Sequence, residues 1–278
     1  MLRFSAMTAP TRVLLACALL LAAAVPADQA ARAATAAEMG ITTLDSGRLV
    51  VYDHGKVVGV EEFQFDRGGD SLLVSATHTR MVRSPEGQQE KWEKKFGLVM
   101  GASDFDVHSY TSNIAFAGHV RVRGIVPGDT AMTVYSEVDG AGDAIRIPQP
   151  PGRWFVMDPM LFTLFDVICR NLSAQGLSRR PIELVTLGDE PGSNEATASA
   201  AGQDTVRWGG HRLVARRWTL EDPSGRFTMW ASPKGYLLRL VHEASGLEVM
   251  REEPKPAPKP KSAKPAKPPA APAKPSKP

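Results

Sequence analysis

The chain has 278 residues, 43% hydrophobic and 23% charged, with a formal net charge of +3. Two cysteines exclude a disulfide-rich scaffold. With the two unusual ends set aside, about 220 residues remain, ample for one hydrophobic core and awkward for two.

Residues 1–27 read as a cleavable export signal. Arg3 and Arg12 precede an unbroken apolar run, 13–25, and Val25-Pro26-Ala27 supplies small residues before Asp28. A second processing site follows Ala33 in Ala31-Arg32-Ala33. The run is shorter than the roughly 20 residues a transmembrane helix needs. Cys17 ends Leu14-Leu15-Ala16-Cys17, a loose lipidation box, but the apolar run continues past it to Val25, so a lipoprotein is rejected. The mature chain is therefore expected outside the bacterial cytoplasm, periplasmic or secreted. Cys169 is its one thiol, and Phe165, Val167, Ile168 and Leu172 around it predict a buried, inert state.

Residues 28–46 read as a flexible lead, and 47–253 as a single β-rich domain. Turn signals punctuate this domain at short intervals. They are Asp53-His54-Gly55-Lys56, Asp66-Arg67-Gly68-Gly69-Asp70, Ser84-Pro85-Glu86-Gly87, Pro127-Gly128-Asp129 and Asp139-Gly140-Ala141-Gly142-Asp143. Gly209-Gly210, Asp222-Pro223-Ser224-Gly225, Ser232-Pro233-Lys234-Gly235 and Ala244-Ser245-Gly246 follow. Glycine supplies positive φ, proline fixes φ, and Asp or Ser bonds back to the turn backbone, so the pattern predicts sequential antiparallel hairpins.

The segments between turns alternate as strands do. In 88–100, Trp92, Phe96, Leu98 and Met100 share one face, with Lys91, Glu93 and Lys95 on the other. In 212–221, Val214, Trp218 and Leu220 share a face that Arg216 interrupts. In 57–66, Val58 and Val60 point one way and Phe63 and Phe65 the other, which predicts a bulge near Glu61-Glu62. Pro148-Gln149-Pro150-Pro151-Gly152-Arg153-Trp154-Phe155 is a stiff connection expected to cross the sheet mouth. Asp158-Pro159 then predicts a helix start, an N-cap with proline at the first helical position. Leu161, Leu164, Phe165, Ile168 and Leu172 recur at helical spacing, and Phe162 and Cys169 widen the stripe, so this helix should be largely covered. Residues 189–203, rich in Gly, Ser and Ala, read as a surface loop. The fold class is mainly β: a curved antiparallel sheet, a half-barrel-like meander, wrapped on one apolar helix.

The order of these features resembles a family of exported bacterial β-sheet domains of unknown function. The residues that carry the likeness are Leu49-Val50-Val51-Tyr52, Gly55-Lys56-Val57-Val58-Gly59, Gly210-His211-Arg212-Leu213 and Trp218, then Phe227-Thr228-Met229-Trp230 and Gly235-Tyr236-Leu237-Leu238-Arg239-Leu240. A strand ending in Trp, two small residues, and a strand opening Gly-aromatic-apolar-apolar-Arg form the closing hairpin. The resemblance spans about 47–250. It is more distantly similar to curved sheets that carry lipoproteins or lipids across the periplasm. It implies a fold and no catalytic residue.

Chemistry-bearing patterns are sparse. The histidines, His54, His78, His108, His119, His211 and His242, make no i, i+4 pair and no Cys/His cluster, so neither metal nor cofactor is expected. Only strand pairing could join His78 to His108. Asp104 with Asp106, and Glu61 with Glu62, are carboxylate pairs; on a strand Asp104 and Asp106 would share a face. Asp139–Asp143 lacks the glutamate of a calcium loop and reads as a plain turn. No hydrolase elbow or phosphate loop occurs, so no enzyme is expected. Trp92, Phe96, Trp154, Phe155, Phe162, Phe165, Trp218 and Trp230 either line an apolar cavity between helix and sheet or fill it.

The tail, 254–278, contains only Pro, Lys, Ala and Ser, a composition of disordered segments. It holds seven of the 33 basic residues and the signal two, leaving 24 in the domain against 30 acidic, a net −6 beside a +7 leash. Biased to polyproline II, the tail could reach about 70–80 Å. It suits an anionic envelope surface or a protein partner. Nucleic acid is disfavoured, since no aromatic interleaves with the lysines. The expected function is a non-catalytic envelope protein binding an apolar ligand or acyl chain. The alternative is a scaffolding protein tethered through its basic tail.

Overall fold

A computed structural model describes residues 40–253, apart from 85–86, 177, 189 and 209. The expected signal and tail lie outside the described residues. The first half of the chain gives β1 (Ile41–Asp53), β2 (Lys56–Gly68), β3 (Ser71–Arg83), β4 (Gln89–Gly101), β5 (Val107–Phe116), β6 (His119–Val126), β7 (Ala131–Val138) and β8 (Ala141–Pro148). A short strand β9 (Trp154–Met157), helix α1 (Thr163–Gln175) and β10 (Arg179–Thr186) come next. The last strands are β11 (Gly192–Trp208), β12 (His211–Asp222), β13 (Gly225–Ala231), β14 (Leu237–His242) and β15 (Leu247–Arg251).

All fifteen strands belong to one sheet, ordered β8-β7-β6-β5-β4-β3-β2-β1-β15-β14-β13-β12-β11-β10-β9. Each expected turn cluster falls between two paired strands. The Asp53–Lys56 turn has His54 at φ 47° and Gly55 at φ 77°, a two-residue hairpin connection. Every pair is antiparallel except β9 with β10, which are parallel and separated by α1. The sheet is thus a meander with one βαβ unit at its end, mixed rather than purely antiparallel.

The two ends of the sheet lie near each other. β8 and β9 are its outermost strands, yet only residues 149–153 join them, a span of at most roughly 18 Å. The proline segment joins the two outermost strands, so the sheet curls into a barrel-like shape; Trp154 and Phe155, expected in the connection, belong to β9 instead. Helix α1 lies on the inner side against β9, β13 and β14. It is buried over most of its girth, including Leu164, Phe165, Ile168, Cys169 and Leu172. It ends at Gly176, whose φ of 64° needs no Cβ.

Four local expectations are corrected. Helix α1 begins at Thr163 with no side-chain cap of its own, five residues after Asp158, and Met160 takes φ 67° between them. Residues 192–203 belong to a 17-residue strand rather than a loop, with Ala196 and Ala198 buried in the core. Burial in the core outweighs the poor strand propensity of Ser, Ala and Gly. The bulge in β2 lies at Val58, which has no partner between Val51↔Gly59 and Tyr52↔Val57. At Glu61-Glu62 the strand is regular, so Glu61 faces inward with Phe63 and Phe65. Finally, β1 begins at Ile41, inside the expected flexible lead, and a second bulge leaves Leu44 unpaired and turns Asp45 opposite Phe65.

Candidate functional site

The first half of α1 meets two clusters of buried ionisable side chains. At the N-terminus, the Glu61 carboxylate accepts hydrogen bonds from the Phe162 N–H (2.9 Å), the Thr163 N–H (2.6 Å) and the Thr163 hydroxyl (2.5 Å). A carboxylate from β2 therefore caps the helix that has no cap in its own sequence, and its charge sits at the positive end of the dipole. His78 Nδ1 lies 3.4 Å from Glu61 Oε2, and the ring packs against Trp92 and Phe162.

The adjacent strands add a second acid. Lys94 and Tyr110 face inward from β4 and β5, and both reach Asp158: Lys94 by an ion pair, Tyr110 by donating its hydroxyl at 2.6 Å. Lys94 also donates to the Pro159 carbonyl at 2.8 Å. Burial lowers the Lys94 amine from its usual range, against the pull of Asp158. Burial and the Asp158 charge push the Tyr110 phenol well up. From β6, Arg123 donates to the Leu187 carbonyl at 2.6 Å. Side chains of β4, β5 and β6 thus hold the chain where it leaves β9 and where it leaves β10, closing the barrel where no backbone ladder does.

Further along α1, Asp166 and Arg170 meet Asp45 and Arg251. Asp45 pairs with Arg170 and, at 2.6 Å, with Arg251. Asp166 takes Arg170 at 3.2 Å, Arg251 at 3.4 Å and the Leu237 N–H at 2.8 Å. Both guanidiniums lie over aromatic rings, Arg170 on Phe65 and Tyr236, Arg251 on Phe63 and Tyr236. Burial acts to lower Arg170, and Asp166 and Asp45 outweigh it and hold the group up.

Over this second cluster opens a groove of about 490 Å³. Trp208, Tyr236 and Leu238 form its apolar wall, and Asp45 and Arg251 its floor. It sits where β15 ends, at Arg251, beside the part of β1 that continues past it. A larger trough of about 740 Å³ crosses β1 to β4. Threonines and the ion pairs Arg48–Glu62 and Lys91–Glu93 line it beside exposed Val57, Val58 and Met81.

Of the eight aromatic candidates, Phe96, Trp154, Phe155, Phe162, Phe165 and Trp218 are buried in the single core. Trp92 lies half-buried between His78 and the guanidinium of Arg80, which burial lowers. Trp230 is half-buried, donates to Asp204 at 2.7 Å and lies under Arg239. Trp218 also borders a separate cleft near Arg216 and Gly202. Trp208 of the mouth groove is a site residue that the sequence reading passed over.

The other candidate pairs separate. His78 is buried in β3 opposite Lys94, whereas His108 is exposed on β5. Asp104 and Asp106 sit in the β4–β5 turn, where Asp104 accepts the Asp106 N–H, so they share no strand face. Glu61 and Glu62 point to opposite faces. Among the described residues no group of three or more His, Cys, Asp or Glu is placed to hold a metal ion.

The fold and these clusters define a barrel-like β domain closed on one inner helix. No family model matches the chain, and no curated protein does. Among solved structures it is similar to a β-barrel-like protein of a domain of unknown function, DUF1849, from Brucella abortus. The TM-score is 0.50 at 9% identity, over 74% of this chain and 95% of that one. The likeness is one of fold, to a bacterial β-sheet protein of unknown function.

Proposed function

We propose that the chain is a non-catalytic protein of the bacterial envelope that binds an apolar ligand, such as an acyl chain, at the barrel mouth. The observation that carries this reading is the groove walled by Trp208, Tyr236 and Leu238. Its size is that of small-molecule sites, and the surface it offers is mostly apolar although Arg48, Glu252 and Glu253 join Asp45 and Arg251 around it. The space between helix and sheet is filled by core side chains, so the ligand sits over the Asp45–Arg251 pair rather than beneath the helix. The paired ions of the floor have their partners already, and so favour an uncharged portion of the ligand against Tyr236. The export signal and the likeness to periplasmic curved sheets support the envelope address.

Native mass spectrometry of the protein purified after export, with organic extraction, tests the proposal. A reproducible lipid-sized adduct that Trp208→Ala and Leu238→Asp both abolish is the expected result. A bare mass, together with no gain in melting temperature from added fatty acids, overturns it. That outcome would leave the scaffolding reading, in which the +7 tail tethers a closed domain.

A further inference from the structure

The two ends of the sheet are unequal. β9 has four residues, three of them buried, and packs against α1 and β5 besides pairing with β10. β8 has eight residues, seven of them exposed, and pairs only with β7. Its neighbouring hairpin also exposes Val138 (41%) and Ile145 (45%). Edge strands are usually blunted by bulges, charged side chains, prolines or covering loops. β8 pairs with β7 without a bulge, and its charges, Asp143 and Arg146, and its Pro148 leave Ala144-Ile145 at its centre uncharged.

Which groups β8 presents follows from its register. The ladder to β7 pairs Val138 with Ala141 across the two-residue turn Asp139-Gly140, both at positive φ, and continues to Ala131 with Pro148. One step further along the same ladder, the Gln149 N–H donates to the Thr130 carbonyl at 3.1 Å. Odd-numbered residues of β8 therefore bond to β7. The N–H and C=O groups of Gly142, Ala144 and Arg146 face away from it, as does the carbonyl of Pro148. The one proline in the strand falls where its missing N–H would have pointed outward, the position an edge tolerates.

We propose that β8 is a self-association edge, pairing antiparallel with β8 of a second copy of this chain about a two-fold axis. A two-fold normal to the sheet keeps each residue on its own face, so opposed residues must have the same parity. The register centred on Ile145 satisfies this condition. It sets Ile145 against Ile145 of the second copy in a non-hydrogen-bonded pair, where side chains approach most closely. Ala144 then exchanges both backbone bonds with Arg146 of the second copy. The Gly142 N–H meets the carbonyl of the second copy's Pro148, a residue that can only accept. Asp143 faces Ile147 and Arg146 faces Ala144, so no like charges stand directly opposite. An isologous edge of this kind closes after two copies and does not propagate.

Sedimentation velocity of the full chain, from micromolar to millimolar, tests the edge. A monomer–dimer equilibrium is expected. Ala144→Pro should weaken it about tenfold or more, because it deletes outward donors and leaves the β7 ladder intact. Ile145→Asp, at an exposed site, should weaken it comparably and guards against misfolding of the proline variant. Ala144→Val should leave it unchanged. Amide exchange should show Gly142, Ala144 and Arg146 protected in the dimer alone. A chain monomeric at every concentration overturns the proposal, as does a dimer indifferent to Ala144→Pro and Ile145→Asp. Protection of these amides only when a different protein is bound also overturns it.

Discussion

At the scale of single residues, ionisable groups held in the core make stability depend on alkaline pH. The Cys169 thiol is buried against Met229, and burial raises its pKa well above the usual range, with Asp166 adding to the rise. A raised thiol keeps its proton in the folded state while the unfolded chain loses it above about pH 8.5. The folded state then binds more protons, so stability is full below that pH and falls as pH rises beyond it. Tyr110 acts in the same direction above about pH 10. Lys94 acts oppositely: its lowered pKa means the unfolded chain holds the extra proton, so its contribution grows with pH up to about 10.4. Between about pH 8.5 and 9.5 the thiol and Lys94 pull in opposite directions, and removing the thiol isolates its part. The urea midpoint of Cys169→Ala is expected to change more favourably with rising pH over that interval than that of the unaltered protein, whatever the substitution does to stability at neutral pH. An equal slope in both proteins would overturn the thiol's contribution.

At the scale of elements, α1 depends on a strand distant in sequence. Glu61 satisfies two of the helix's first N–H groups in a site without solvent. Glu61→Ala leaves these donors buried and unpaired, and should cost about 1–3 kcal/mol; Glu61→Gln keeps an acceptor and should cost less. Helical content by circular dichroism should fray in the alanine variant before the sheet signal changes. Gly59 faces the same site from β2, where a Cβ would stand 2.7 Å from His78 Nε2. The ring is hemmed in by Trp92 and Phe162, so Gly59→Ala should cost about 1–3 kcal/mol by overpacking, read from the urea midpoint. Much of the element plan is legible in the chain. Turn residues mark nine of the hairpins, and the alternation of Trp92, Phe96, Leu98 and Met100 assigns the inner face of β4. The same parity places Lys94 inside, a signal that was available and that charge alone argues against. The phase of Val58, Val60, Phe63 and Phe65 needs no bulge if Glu61 is buried; only the helix terminus it caps makes that burial tolerable. Asp158-Pro159 has the local chemistry of an N-cap, but Lys94 and Tyr110 occupy the carboxylate instead. Pairings between distant strands decide these cases, and no local pattern encodes them.

At the scale of the molecule, the barrel closes through side chains rather than a continuous ladder. β8 and β9 do not pair, so the junction rests on Lys94 and Tyr110 at Asp158, on Lys94 at the Pro159 carbonyl, and on Arg123 at the Leu187 carbonyl. A junction of this kind is sensitive to the loss of one partner. Lys94→Ala leaves Asp158 buried with Tyr110 as its remaining donor and should cost about 3–5 kcal/mol, the range for breaking a buried pair. Replacing both charges by apolar residues of similar volume, Lys94→Met with Asp158→Leu, removes the desolvation cost along with the attraction. The double variant should therefore be more stable than Lys94→Met alone, and with Asp158→Leu completing the double-mutant cycle the coupling energy should be at least about 1 kcal/mol. Hydrogen exchange supplies the global readout. In Lys94→Ala, protection should fall first in β9 and β10, which the junction fastens, while β1 to β3 keep the protection of the unaltered protein. Uniform loss across all fifteen strands would mean that the sheet unfolds as one unit and that the junction is no weaker than the ladders beside it.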